Sequence, residues 1–315
     1  MVNIRDIAKM ADVSLTTVSR VLNQEPYVSE EKRKLVQAVI DKTGYTKNGN
    51  AVKLSTGKSG IIGVQIPYNN SCYDRLIDSI LLETKERGYQ VQLLPTYYEQ
   101  ETENYYYSML EQKLIDGLIL TSQTPHPINW TRLLEKGKLV STEKLAHPEV
   151  PMIYPDRKQA YDQLFSHLHA KKVQDVVFVT KRSADQSITT KNKIKAFEGY
   201  FGKAIEGKNY FIGIDDYESG YAWAKELASK NRIPTYLYTN GDNTAAGILM
   251  AFQEAGFEHK KDYFLIGEGN LSYSKLLNFS TIDFSPQEIG QACVDFLLSD
   301  QQLICCKKDA KLILR

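Results

Sequence analysis

The segment "ADVSLTTVSRVLN", residues 11–23, decides how the chain is read. A small residue and a short Asp12-Val13 turn lead into hydroxyls, valines and one arginine at helical spacing. Ser14 is placed to cap a helix on which Val18, Val21 and Leu22 fall three and four residues apart and share one face. Leu15, Thr16, Thr17, Ser19 and Arg20 are left pointing outward. A helix that merely caps a larger domain has no need of small polar residues on its exposed face. A helix that enters the DNA major groove by its N-terminal end does. There an arginine pairs bidentately with guanine or binds phosphate, and threonines touch bases, thymine methyls or phosphate.

The flanking residues build a support for that helix. Asn3 can cap a helix starting at Ile4, and Asp6 in its first turn favours the helix dipole. Ile4, Ile7, Ala8 and Ala11 form its buried face. Pro26 stops the second helix. Ser29 caps a third, with Glu30 and Glu31 in its first turn, Leu35, Val36, Val39 and Ile40 expected inside, and Gly44 at its end. The spacing therefore predicts a small all-α helix-turn-helix head, residues 1–47. Residues 1–58 hold ten Lys/Arg against six Asp/Glu, and the other 257 hold 29 against 32. A basic head on a slightly acidic body suits a head that meets phosphate.

"NGNAVKLSTGKSG", residues 48–60, separates head from body. Its three glycines predict a flexible linker. Ala51-Val52-Lys53-Leu54 is compatible with a helix too short to stand alone in water. From Ile61 the pattern changes. "GIIGVQI", "YQVQLLP", "IDGLILT", "KLVST", "QDVVFVT", "KNYFIGI", "TYLYTN" and "YFLIGEG" read as strands separated by helical stretches. That alternation predicts βαβ units in two doubly wound parallel sheets. Ligands of open α/β sheets sit beyond the carboxyl ends of the strands. The loops 67–73, 121–125, 181–193, 240–244 and 268–273 hold amides, hydroxyls and aromatic rings, a mixture suited to a polyhydroxylated small molecule.

Other chemistries leave no signature. No Gly-x-Ser-x-Gly elbow, phosphate loop or dinucleotide-binding glycine motif is present, so no catalytic residue and no cofactor is assigned. His167 and His169 lie two apart on a predicted helix and diverge. With Cys72, Cys293, Cys305 and Cys306 forming no Cys-x-x-Cys pair, no metal site is expected and the thiols read as reduced. No signal peptide and no apolar run of bilayer length is found, so the sequence reads as cytoplasmic, with no membrane partner. A second reading is a cytoplasmic sugar-binding module, or a sugar-handling enzyme, whose helical head does something other than bind DNA.

"IRDIAKMADVSLTTVSRVLN" (4–23), "YVSEEKRKLVQAVIDKTGY" (27–45) and "AVKLSTGKSGIIGV" (51–64) resemble the head of the lactose/galactose repressor (LacI/GalR) family. "IDGLIL", "TNGDNTAAGILMAFQEAG" and "TIDFSPQEIGQACVDFLL" resemble its periplasmic-binding-protein-like body. The resemblance implies a sequence-specific transcriptional regulator, most readily a repressor of carbohydrate-metabolism genes. It implies a homodimer on a pseudo-palindromic operator and a sugar or sugar phosphate effector in a cleft between two subdomains. Leu15, Thr16, Arg20 and Leu54 would read bases, Leu54 as a minor-groove wedge. Ser14, Thr17, Ser19, Asn23, Tyr27 and Lys53 would meet phosphates. The body, 61–315, would divide into an N-subdomain (about 61–156 and 285–309) and a C-subdomain (about 157–284 and 310–315). Tyr73, Lys193, Asp242, Glu268 and Asn270 would face the effector. The chain departs from the family at Asp12, where a turn glycine is usual, and at Lys193, where an arginine is usual. It also has Gly269 in place of an aspartate and Gly241 in place of an asparagine or serine.

Overall fold

The computed structural model describes residues 2–46, 57–300 and 305–315. It divides into two compact units, Met1–Ser59 and Gly60–Arg315.

The head holds α1 (Ile4–Met10), α2 (Leu15–Leu22) and α3 (Glu30–Thr43). The Asn3 side chain accepts from the amides of Arg5 and Asp6, and Asp6 returns a bond to the Asn3 amide, closing a capping box. Asp12 takes the left-handed conformation at φ 50°, so aspartate serves the turn where a glycine is usual. Ser14 then caps α2 through the Thr17 amide at 3.1 Å, and Gly44 ends α3 at φ 63°. Ile7, Val18 and Val36, one from each helix, are wholly buried and meet at the centre. Each is worth about 1.5–3 kcal/mol of burial, and this head has few others. Leu35, expected inside, is exposed. The inward face of α3 is set by Val36, Val39 and Ile40, and one residue back along a helix is a turn of about 100° away from it.

The body holds two six-stranded sheets. The first has the order β11-β5-β4-β3-β1-β2, built from Ile61–Ile66 (β1), Gln90–Pro95 (β2), Gly117–Leu120 (β3), Lys138–Ser141 (β4), Met152–Pro155 (β5) and Cys305–Lys308 (β11). The second has the order β12-β10-β9-β8-β6-β7, from Val176–Thr180 (β6), Tyr210–Ile212 (β7), Tyr236–Tyr238 (β8), Phe264–Glu268 (β9), Ser280–Asp283 (β10) and Lys311–Ile313 (β12). Only the β10–β12 pair is antiparallel among the described strands. Helices fill the crossovers: α4 (Asp74–Glu86), α5 (Gln100–Glu111), α6 (Trp130–Lys136), α7 (Arg157–Ala170), α8 (Ile188–Phe201), α9 (Tyr217–Ser229), α10 (Asp242–Glu254), α11 (Ser272–Leu276) and α12 (Pro286–Leu298).

Inner strands such as β1, β3 and β6 are near-continuous apolar runs because helices cover both faces. Edge strand β2 alternates toward exposure. Four strands, β5, β10, β11 and β12, are not marked in the sequence: β10, β11 and β12 are short and carry polar residues, and β5 follows Pro151 and ends on Pro155. The chain passes between the sheets after Pro155, after Asp283 and after Lys308. These passages bring the carboxyl ends of both parallel sheets to one cleft.

Candidate functional site

Two surfaces carry chemistry. On the head, α2 turns Val18 and Val21 inward and leaves Leu15, Thr16 and Arg20 exposed. Ser14, Asn23 and Tyr27 are also exposed, while Thr17 and Ser19 are half-buried at the flanks. Ser14 Oγ and Thr17 Oγ1 share a 2.9 Å hydrogen bond, which orders the first turn. Arg20 Nε lies 3.6 Å from Glu25, an exposed pair of little energetic weight, so its guanidinium remains available to a stronger anion. Lys53 and Leu54 lie outside the described residues.

On the body, the cleft lies just past the carboxyl ends of eight strands. Tyr68 follows β1, Thr121 and Ser122 follow β3, Glu143 follows β4 and Arg157 follows β5. From the second sheet come Lys181 and Arg182 after β6, Asn240 after β8, Glu268 at the end of β9 and Phe284 after β10. Each of the five loops singled out in the sequence contributes lining residues.

The floor is a buried charge cluster. Lys193 on α8 is 1% exposed, and its Nζ stands 3.1 Å from Glu268 Oε1 and 4.2 Å above the Tyr238 ring. The Tyr238 hydroxyl donates to the same carboxylate oxygen. Burial pulls the Lys193 ammonium below its ordinary range, and Glu268 pulls it back up. Arg157 sits above, stacked on Phe284 at 4.3 Å and 3.8 Å from Glu268 Oε2. Burial pushes the Glu143 carboxyl up against the pull of Arg157 and Arg182. The Oδ1 of Asn240 is buried with no hydrogen-bond partner among the described residues, an acceptor waiting for a donor.

Contacts also cross the cleft. Lys181 donates to the Tyr68 hydroxyl at 2.7 Å and pairs with Asp215 at 2.7 Å, and Tyr68 donates to Asp215 at 3.1 Å. Arg75 reaches from α4 to the Gly269 carbonyl at 2.7 Å and Asp283 at 3.0 Å. Arg182 lies 4.5 Å over the Tyr98 ring.

Of the effector-facing residues expected from sequence, Tyr73, Lys193 and Glu268 come together in the cleft. Asp242 and Asn270 do not join them. Asp242 is wholly buried, with one oxygen accepting from the Leu271 amide at 2.7 Å and the other from Thr281 Oγ1 at 2.6 Å. Gly267 packs so closely against it that a Cβ there would fall 2.1 Å from Asp242 Oδ1. Its oxygens are spent on tying α10 to β10. Asn270 donates to Asp283 and accepts from Arg315, each at 2.9 Å, and is likewise spent on packing. Sequence reasoning missed Arg157, Glu143, Tyr98 and Arg75. The first follows a strand whose bracketing prolines hid it. The others lie outside the loops that the strand pattern marked.

Models of two families match the chain: "Bacterial regulatory proteins, lacI family" over residues 3–48, and "Periplasmic binding proteins and sugar binding domain of LacI family" over residues 59–301. Catabolite control protein B of Bacillus subtilis is 37% identical over 305 residues, covering 96% of both chains. The repressor PurR of Salmonella typhi is 26% identical, covering 95% of this chain and 90% of its own. Among solved structures, a Lac repressor dimer bound to operator and an anti-inducer superposes with a TM-score of 0.79 at 20% identity, covering 100% of this chain and 98% of that one. A Lactobacillus casei regulator with bound glucose gives 0.72 at 21%, covering 81% and 98%.

Proposed function

The chain belongs to the LacI family of bacterial regulatory proteins, DNA-binding transcriptional regulators with a ligand-binding domain, and on that premise we propose how this one works. It is a cytoplasmic repressor of carbohydrate-metabolism genes rather than an enzyme. Leu15, Thr16 and Arg20 read bases in the major groove, and Ser14, Thr17, Ser19, Asn23, Tyr27 and Lys53 hold phosphates. The observation that carries this is α2 itself: valines seated in the head core, small polar residues and one loosely paired arginine facing out.

Two copies pair through the first-sheet half of the body. Leu81 and Leu82 on α4 and Leu93 on edge strand β2 are exposed there, which supports an apolar contact. A twofold dimer then meets a pseudo-palindrome, with two Leu54 side chains wedged at its centre. A sugar-class effector in the cleft shifts the balance between two arrangements of the sheets and so changes operator affinity.

Selection of genomic fragments by the full-length protein at a stated salt concentration tests the reading. Enriched palindromes are the expected result, and a pool no different from bulk DNA overturns it. Leu54→Ala is expected to lose tight operator binding while keeping weak non-specific binding.

A further inference from the structure

Two cavities in the body share a wall. The inner cleft has a volume of about 220 Å³, and an outer groove beside it about 880 Å³. Thr142, Glu143, Pro155, Arg157 and Thr189 line both. The inner volume is below the roughly 300–1,000 Å³ typical of small-molecule sites. A ligand larger than a compact polyol therefore has to run past Arg157 into the outer groove.

The charges at that wall do not cancel. Lys193 is committed to Glu268, Lys181 to Asp215 and Arg75 to Asp283. In the outer groove Lys307 is committed to Asp156 at 2.6 Å. Arg157 is not committed in the same way. Glu268 stands 3.8 Å from it and already holds Lys193 and the Tyr238 hydroxyl. Lys144 and Lys158 line the outer groove and form no ion pair among the described residues. Apart from Glu268 and Asp156, which those pairs already engage, the described residues lining the two cavities set Glu143 and Asp162 against Arg157, Arg182, Lys144 and Lys158. Stacking on Phe284 fixes the guanidinium plane, and its planar fork matches a phosphate or carboxylate in a way an ammonium does not.

We propose that Arg157, not Lys193, is the anion-recognising residue of this protein, and that its effector is a polyol carrying one anionic group. The polyol part lies in the inner cleft against Glu268 and Asn240. The anion lies at Arg157, with Lys144 and Lys158 beyond it. Lys193 acts as a positioning residue that holds Glu268. The inference rests on the cleft being the effector site.

The test uses the full-length protein with glucose 6-phosphate, fructose 6-phosphate, gluconate and inorganic phosphate, and with glucose and fructose as neutral parents. Melting temperature and, for the phosphates, ³¹P line broadening are read. At least one anion is expected to stabilise the protein where its parent does not. Arg157→Gln is expected to weaken that anion by about 10- to 100-fold, the loss of a charge-assisted bidentate contact. Arg157→Lys should fall between the two, which guards against simple misfolding. The Lys144→Ala/Lys158→Ala double variant should lose less. Neutral parents acting as well as their phosphates, Arg157→Gln weakening both alike, or no anion acting at all would each overturn the inference. Operator selection on the same preparation separates it from the regulator reading. If operator is enriched and no anion acts, only the inference falls.

Discussion

The head and the cleft solve opposite problems. On α2 the functional side chains are local, exposed and loosely engaged: Arg20 has only an exposed partner at 3.6 Å. On the floor of the cleft they are distant in sequence, buried and committed to one another: Lys193, Tyr238 and Glu268 come from three elements and share one carboxylate oxygen. A surface that meets a polyanion gains from charges left open to it. The buried floor of the cleft has to satisfy its charges internally, because an uncompensated buried ion costs several kcal/mol. Substitutions in the cleft should therefore be felt first as stability, and substitutions on α2 first as affinity.

The largest expected effect comes from breaking the buried pair. Lys193→Met leaves Glu268 with the Tyr238 hydroxyl and the Arg157 guanidinium at 3.8 Å, and should cost the body about 3–5 kcal/mol. Removing both charges, Lys193→Met with Glu268→Gln, should restore most of it. Urea denaturation reads both variants. A single variant as stable as the parent chain would remove the contrast with the head.

Asp242 comes next. Burial raises its carboxyl to about 6 despite the hydrogen bonds from Thr281 and Leu271. The folded form therefore holds this proton more tightly than the unfolded chain does. The protonated side chain favours folding below pH 4, and that contribution is lost as pH rises through about 6. The loss amounts to about 2–3 kcal/mol. Asp242→Asn keeps an acceptor for Leu271 and a donor for Thr281. Its stability relative to the parent should rise between pH 4 and 6 and stay level above that. A constant difference across this range would show that Asp242 is not raised.

How much was legible in sequence follows from the same contrast. The head is a local problem. Caps, hydrophobic spacing and the turn at Asp12 all act within four residues, so the helices and the outward face of α2 could be read directly. The inner strands were equally plain because helices on both faces demand continuous apolar runs. The cleft was only half legible. Its loops follow from where strands end, so Lys193, Glu268 and Tyr73 could be marked. Arg157 could not, since a four-residue strand between prolines looks like a loop. Asp242 was misplaced because a buried carboxylate and a ligand carboxylate look the same until their partners are seen. Here the partners are the backbone of Leu271 and the hydroxyl of Thr281.

On the head the expected effects are smaller. Arg20→Ala should cost about 1–3 kcal/mol of operator affinity and relax sequence preference at one base pair, with the melting temperature unchanged. Gel-shift competition between operator and variant sites measures it. An equal loss on all sequences would make Arg20 a phosphate contact.

The smallest effect tests the one buried position misjudged on the head. Leu35 and Val36 are adjacent on α3, both apolar, and only one can face Ile7 and Val18. With Val36 wholly buried and Leu35 half exposed, Leu35→Ala should change head stability by no more than about 0.5 kcal/mol. Val36→Ala removes less side chain but should cost more, because its two methyls fill the point where three helices meet and leave a cavity there. Thermal melts of the two variants decide it. The reverse order would mean that α3 is rotated by one residue, and the surface that α2 presents to DNA would then have to be rebuilt around a different core.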